Sequence, residues 1–274
     1  MSRISQLKAS LTQFPDIAAP SWWLLALEQR SIWEFWSGVA MYPALTRLAP
    51  RGDGHPVLVL PGFAASDIST ALLRRFLDDL GYASYPWGMG RNRGIKDEVP
   101  AQIQQRLHSI HKEHGRKVSV IGQSLGGVFA RQLAKAEPAM VRQVITLGSP
   151  FTGHPLASTA AHVYEWLSGD NFDNIDFNQH LEVRVKPPVP TTSIYSKTDG
   201  VVAWQCSIEA DEANQAENIH LRGGSHIGMG SSPVALYLIA HRLAQAEGSW
   251  KPFEPSGLGK LLYGARDHHP DTRL

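Results

Sequence analysis

One serine lies in a turn whose glycine spacing would expose a hydroxyl nucleophile. Residues 122–126 read Gly-Gln-Ser-Leu-Gly, so Ser124 has a glycine two positions away on either side. β-branched residues precede the turn and apolar residues at helical spacing follow it, which predicts a strand, a tight turn and a helix. In such a turn the serine takes a strained conformation, and Gly122 and Gly126 let strand and helix approach closely. The pattern favours a nucleophilic serine over an ordinary turn that contains one.

A serine hydroxyl is a weak nucleophile at neutral pH, so the chain must also supply a base and a carboxylate that orients the base. Asp199 follows a predicted strand in a turn with Gly200, and His226 lies in a glycine-flanked loop after the last predicted strand. Each residue taken alone is as easily explained by a turn or a helix cap. Together, in this order after Ser124, they predict a Ser-His-Asp triad.

The elements that must position these residues alternate between strand and helix. Short apolar runs predict strands near 55–60, 82–87, 118–121, 141–147, 191–195 and 218–221, with helical patterns between most of them. Ser66 or Asp67 is expected to cap the first of these helices. Such alternation predicts a parallel sheet with helices on its faces. Reactive groups then gather at the carboxyl ends of the strands, where Phe63, Ser124, Asp199 and His226 all fall.

Four motifs together resemble a serine esterase or lipase of the α/β-hydrolase superfamily, over about residues 55–246. They are the 122–126 turn, Leu60-Pro-Gly-Phe63, the run Ser-Lys-Thr-Asp-Gly-Val-Val at 196–202 and Gly-Ser-His-Ile-Gly-Met at 224–229. The resemblance implies an α/β-hydrolase fold, a mostly parallel sheet flanked by helices. It also implies an acyl-enzyme mechanism without a cofactor.

By the same resemblance, Ser124 is the nucleophile, His226 the base and then the acid, and Asp199 the residue that orients His226. The oxyanion hole would consist of the backbone N–H groups of Phe63 and Leu125. One departure concerns position 61, where a proline stands in place of the histidine that many lipases carry before this glycine. The departure weakens any inference about lipase substrates and leaves the mechanism unaffected.

The chain divides into three parts by pattern. Residues 1–50 are predicted to form an amphipathic helical segment, residues 51–247 the hydrolase domain, and residues 248–274 a C-terminal tail. Within the domain, residues 151–190 exceed a normal connection between strands, which predicts a short cap insertion over the site. Other histidines fit the base less well, because they lie on one helix, in the insertion or in the tail.

Half of the eight tryptophans fall within residues 21–48. Acids and bases interrupt this stretch, so it is too polar to span a membrane. Its spacing predicts one or two helices. They either pack on the core or present an aromatic face to a membrane surface or substrate entrance, which leaves peripheral membrane contact open.

The composition narrows the classes of partner. A net charge of +1 argues against nucleic acid, and one cysteine excludes a disulfide framework. The twelve histidines form no metal-binding pattern, so no metal is expected. The first twenty residues lack the apolar core of a secretory signal, which predicts a cytoplasmic protein, with or without membrane association.

The sequence therefore predicts a hydrolase that cleaves small-molecule or lipid carboxylic esters, with an apolar acyl chain suggested by aromatic residues including Tyr164. An acyltransferase or a thioesterase with the same triad is an alternative. A non-catalytic binding protein on a hydrolase scaffold is another. Oligomeric state is left open.

Overall fold

The computed structural model describes residues 17–152, 183–210, 215–265 and 267. At its centre is one sheet of six strands in the order β2-β1-β3-β4-β5-β6, and neighbouring strands pair in parallel throughout. The strands are β1 (Pro56–Leu60), β2 (Ala83–Pro86), β3 (Val118–Gln123), β4 (Val141–Leu147), β5 (Thr191–Tyr195) and β6 (Ala216–His220). Each predicted strand is present, which confirms the fold class.

Both faces of the sheet are covered, so nearly every residue of its central strands is buried, without alternation between a buried and an exposed face. In β1, Val57 and Val59 join one hydrophobic cluster, whereas Leu58 and Leu60 join the other. All four side chains are almost wholly buried. The parallel arrangement places the carboxyl ends of β1, β3, β5 and β6 at one edge of the sheet.

The described part of the chain also contains α-helices. They are α1 (Trp22–Ala26), α2 (Ser31–Leu48), α3 (Ala71–Asp79), α4 (Glu98–His114), α5 (Leu125–Ala136), α6 (Pro233–Leu243) and α7 (Gly259–Leu262). Residues of α3 and α6 lie in one cluster, and residues of α4 and α5 in the other. The helix expected from Ser66 or Asp67 begins only at Ala71, because turns occupy the intervening residues.

The N-terminal segment (residues 21–48) consists of α1, a 3₁₀ turn at Leu27–Arg30 and α2. It packs on the core through Leu45 and at Gly38, where a Cβ would lie 2.2 Å from the carbonyl oxygen of Ser231. Its amphipathic character is the reverse of the usual one, since Glu28 is buried while most of its large apolar side chains are exposed. No helix among the described residues is long and apolar enough to cross a membrane.

Most of the predicted cap insertion, including Tyr164, lies outside the described residues, as do the last residues of the tail. The described part of the tail packs on the domain. Phe253 and Tyr263 are buried in the cluster that contains α6, and Tyr263 forms a bridge with Leu221.

Candidate active site

Ser124 occupies the turn between β3 and α5 in a conformation that few L-residues adopt. Its φ is 51° and its ψ is −124°. A Cβ on Gly122 would lie 2.3 Å from the carbonyl oxygen of Gly126, and one on Gly126 would lie 2.4 Å from that of Leu60. Any side chain at either position would collide with backbone, so the turn depends on both glycines.

The loop after β1 lies directly beside this turn. A Cβ on Gly62 would lie 3.2 Å from the Cβ of Ser124, and half-buried Phe63 follows immediately. Leu125 is the first residue of α5, where a backbone N–H has no acceptor within the helix. The backbone of Phe63 and of Leu125 is therefore close to the serine, as an oxyanion hole requires.

A buried asparagine that the sequence analysis did not single out supports this loop. The Asn92 side chain donates to the carbonyl oxygen of Pro61 at 2.9 Å. Its backbone N–H donates to Ala65, and its carbonyl accepts from Ala64, each at 2.8 Å. The loop after β1 is thus fixed from its outer side.

Asp199 and His226, which the sequence predicted as a pair, are in contact. Nδ1 of His226 lies 2.7 Å from Oδ2 of Asp199, and both residues are buried. Oδ1 of Asp199 accepts the backbone N–H groups of Val201 at 2.9 Å and Val202 at 2.7 Å. With all these donors directed at it, the carboxylate holds Nδ1 of His226 in its protonated form and leaves Nε2 available.

The electrostatics of this pair favour a basic imidazole. Burial alone lowers the pKa of His226, but the charge of Asp199, its hydrogen bond and the charge of Glu28 outweigh that effect. The pKa of His226 is therefore raised above the ordinary histidine value.

Contacts of neighbouring residues link the serine turn to the histidine loop. The side-chain amide of Gln123 donates to the carbonyl oxygens of His226 at 2.9 Å and Ile227 at 3.2 Å. The backbone N–H of Ser124 donates to Leu147, and a Cβ on the next residue, Gly148, would lie 3.1 Å from Nδ1 of His226. Ser124 and His226 thus lie at the same edge of the sheet, although no hydrogen bond joins their side chains within the described part of the chain.

The N-terminal segment reaches the same edge through three charged residues that the sequence analysis did not single out. Glu28 accepts backbone N–H groups from the loops that carry Asp199 and His226. Glu34 accepts the N–H of Ser225 at 2.8 Å and its hydroxyl at 2.6 Å. Arg30 donates to the carbonyl oxygens of Thr198 and Gly224.

Competing candidates are engaged elsewhere. His108 contacts Glu137, His111 contacts the carbonyl oxygen of Arg116, and His114 contacts Tyr85. His154, His162 and the acids of the insertion lie outside the described residues. Within the described ranges, no group of histidine, cysteine and acidic residues is arranged to hold a metal ion.

Comparison with known proteins agrees with this architecture. A family model of palmitoyl protein thioesterase matches residues 56–183. A search of curated proteins finds no match.

Solved structures with the same fold include lipases. Aspergillus fumigatus lipase B is 21% identical with a TM-score of 0.54, and the match covers 72% of this chain and 54% of that one. This chain therefore spans about half the length of that lipase. Bacillus licheniformis lipase BlEst2 in mature form is 16% identical with a TM-score of 0.54, and the match covers 72% of this chain and 94% of that one. The protein has the α/β-hydrolase fold, as the resemblance predicted.

Proposed function

We propose that the protein is a serine hydrolase that cleaves carboxylic esters through an acyl-enzyme on Ser124. The observation that carries the proposal is the buried hydrogen bond between Asp199 and His226, held beside the Ser124 turn by Gln123. A histidine whose Nδ1 is committed to a carboxylate presents Nε2 as a base, which is what a serine nucleophile needs.

In the proposed reaction, Oγ of Ser124 bonds to the carbonyl carbon of the substrate while Nε2 of His226 accepts the hydroxyl proton. The backbone N–H groups of Phe63 and Leu125 stabilise the oxyanion. The bond to the leaving group then breaks, and His226 returns the proton to that group. Water then bonds to the acyl carbon while His226 accepts its proton, the bond between that carbon and Oγ breaks, and His226 returns the proton to Ser124 as the acid leaves.

A thioester substrate is the second candidate, because the matching family model is that of palmitoyl protein thioesterase. The same acyl-serine forms from either substrate, and only the leaving group differs. We infer an apolar acyl chain for two reasons. The solved structures with the same fold include lipases, and the N-terminal segment beside the site has exposed apolar side chains.

The test is replacement of Ser124 with alanine, assayed on p-nitrophenyl esters of short and long acids and on a long-chain acyl thioester. Loss of a triad nucleophile lowers kcat by about 10⁴-fold or more. A fluorophosphonate probe should label the wild-type protein at Ser124 and leave Ser124→Ala unlabelled. Turnover retained by the variant would exclude Ser124 as the nucleophile, and the ratio of thioester to ester turnover identifies the substrate class.

We further propose that the N-terminal segment binds the lipid surface from which such substrates come. Its two acids are turned inward onto the catalytic loops, and from position 21 to 46 its exposed residues carry no charge. Four tryptophans are exposed there, among them Trp33 at 78% and Trp36 at 60%. Tryptophan-rich uncharged surfaces are typical of the membrane interface.

Sedimentation with phosphatidylcholine vesicles tests this contact without removing the segment. The variant Trp33→Ser with Trp36→Ser should bind about tenfold more weakly than the wild type. Leu258→Ser removes an equally exposed apolar side chain outside the segment and serves as the control. Equal binding by all three proteins would contradict the proposal.

A further inference from the structure

Three backbone N–H groups from two separate loops converge on the side chain of Glu28. Oε1 accepts from Gly200 at 2.8 Å and from His226 at 3.0 Å, and Oε2 accepts from Ile227 at 3.0 Å. Gly200 directly follows Asp199, so one carboxylate bonds the backbone on both sides of the Asp199–His226 pair. Glu28 is only 4% exposed, and a buried carboxylate is tolerated only with donors of this number and quality.

The fit between the segment and these loops is close enough to exclude side chains. A Cβ on Gly200 would lie 2.2 Å from the carbonyl oxygen of Leu24, and one on Gly228 would lie 2.0 Å from Oε2 of Glu34. Glycines therefore stand where the segment meets both loops. This is a second observation, independent of the hydrogen bonds, that the segment and the catalytic loops form one packed unit.

We propose that Glu28 is a positioning residue of the active site, which fixes the backbone of the Asp199 and His226 loops from outside the sheet. The proposal rests on the serine hydrolase proposed above. Of the three charged residues described above, Glu28 is the one that bonds the backbone N–H of His226 itself, whereas Glu34 and Arg30 bond neighbouring residues of the same loops.

Glu28 acts on His226 in two physically separate ways. Its hydrogen bonds set the position of the His226 backbone, and a misplacement on the order of 1 Å lowers turnover about 100-fold. Its charge, together with that of Asp199, favours the protonated imidazole. Within the described ranges, Glu28 and Asp199 are the two residues whose charges act on His226, one from the N-terminal segment and one from the loop after β5.

Two substitutions separate position from charge. Glu28→Gln keeps the shape, loses the charge and turns an amide donor toward one backbone N–H. Glu28→Asp keeps the charge but shortens the side chain by one methylene, so the carboxylate lies further from the backbone N–H groups of the two loops. Glu247→Gln, at an exposed residue paired with Lys117, is the control. Each variant is measured for kcat, KM and the pH dependence of kcat/KM, per fluorophosphonate-reactive site so that misfolded protein is not counted.

For Glu28→Gln we expect kcat to fall about tenfold with KM nearly unchanged, and the acidic limb of the profile to move about 0.5 pH unit lower. Glu28→Asp should lower kcat with the acidic limb close to that of the wild type, and Glu247→Gln should match the wild type. The proposal would be overturned if both Glu28 variants had the wild-type kcat per reactive site and the wild-type acidic limb of the pH profile, even if their melting temperatures fall.

Titration of the His226 imidazole by NMR does not depend on enzyme activity. It therefore distinguishes failure of the Glu28 proposal from failure of the hydrolase proposal. If Ser124→Ala retains turnover, the proposed hydrolase fails, yet Glu28→Gln should still lower the pKa of His226. If Ser124→Ala is inactive, and Glu28→Gln has both the wild-type kcat per reactive site and the wild-type pKa of His226, the hydrolase stands and the role of Glu28 does not.

Discussion

The two halves of the candidate site are built in different ways. The turn at Ser124 is made by the residues around it, since Gly122 and Gly126 remove the side chains that would collide. The loops of Asp199 and His226 are long, and they are held by Glu28, Glu34 and Arg30 from a segment more than 160 residues away in the chain. The proposed nucleophile is positioned by local geometry, and its proposed base by distant partners.

This difference teaches that the N-terminal segment is part of the site as well as a covering of the core. Its charged side chains Glu28, Arg30 and Glu34 contact the loops of Asp199 and His226, and most of its large apolar side chains are exposed. A segment with this arrangement can join a lipid surface on one side to the imidazole on the other.

The largest effect on stability and labelling is expected from a substitution in the turn at Ser124. In Gly126→Ala the new Cβ would lie 2.4 Å from the carbonyl oxygen of Leu60, so β1 or the turn must shift. We expect a loss of about 3 kcal/mol in the free energy of unfolding, measured with urea, and loss of fluorophosphonate labelling. In Gly259→Ala the nearest atoms are 3.7 Å away, and this control should change stability by less than about 0.5 kcal/mol. Wild-type stability and labelling in Gly126→Ala would show that the turn does not need its glycines.

The pH dependence of activity should come from His226, whose loop is held by residues distant in the chain. His226 must be neutral to accept a proton, and its pKa is raised by Asp199 and Glu28 against the effect of burial. Below that pKa, kcat/KM should fall about tenfold for each pH unit. The acidic limb should therefore lie above pH 6.5, the ordinary value for histidine. A limb below that value would contradict the electrostatic description of the pair.

A smaller effect is expected when one contact of the N-terminal segment with the loops of Asp199 and His226 is removed. Arg30→Gln removes donors to the carbonyl oxygens of Thr198 and Gly224. Because Arg30 is partly exposed, we expect a loss of only about 1 kcal/mol in stability to urea. Arg47→Gln, at an exposed residue in the last turn of α2, should stay within about 0.5 kcal/mol of wild type. Equal stability of both variants would show that Arg30 does not hold these loops.

The architecture was predictable because its signals are local. The apolar run Val57–Leu60 is buried on both faces, so it indicates a strand without alternation. The start of α3 was placed too early, because Ser66 and Asp67 cap no helix and serve turns instead. Asp67 accepts the backbone N–H groups of Trp87 and Gly88.

The charged contacts of the N-terminal segment could not be predicted. Glu28 bonds backbone N–H groups, which every residue but proline carries, so no partner side chain marks the contact in the sequence. Among apolar neighbours such as Leu24 and Leu27, its spacing indicates the polar side of an amphipathic helix, which is normally the side in water.

By itself the sequence determined the order of strands and helices, the strained turn at Ser124 and the placement of Asp199 and His226 after strand ends. These features follow from patterns a few residues long, such as periodicity and glycine spacing. Only the tertiary structure decided which way the N-terminal segment faces and which carboxylate meets the backbone of His226. Those choices depend on the packing of residues nearly 200 positions apart, where a buried charge finds its donors only after the chain has folded.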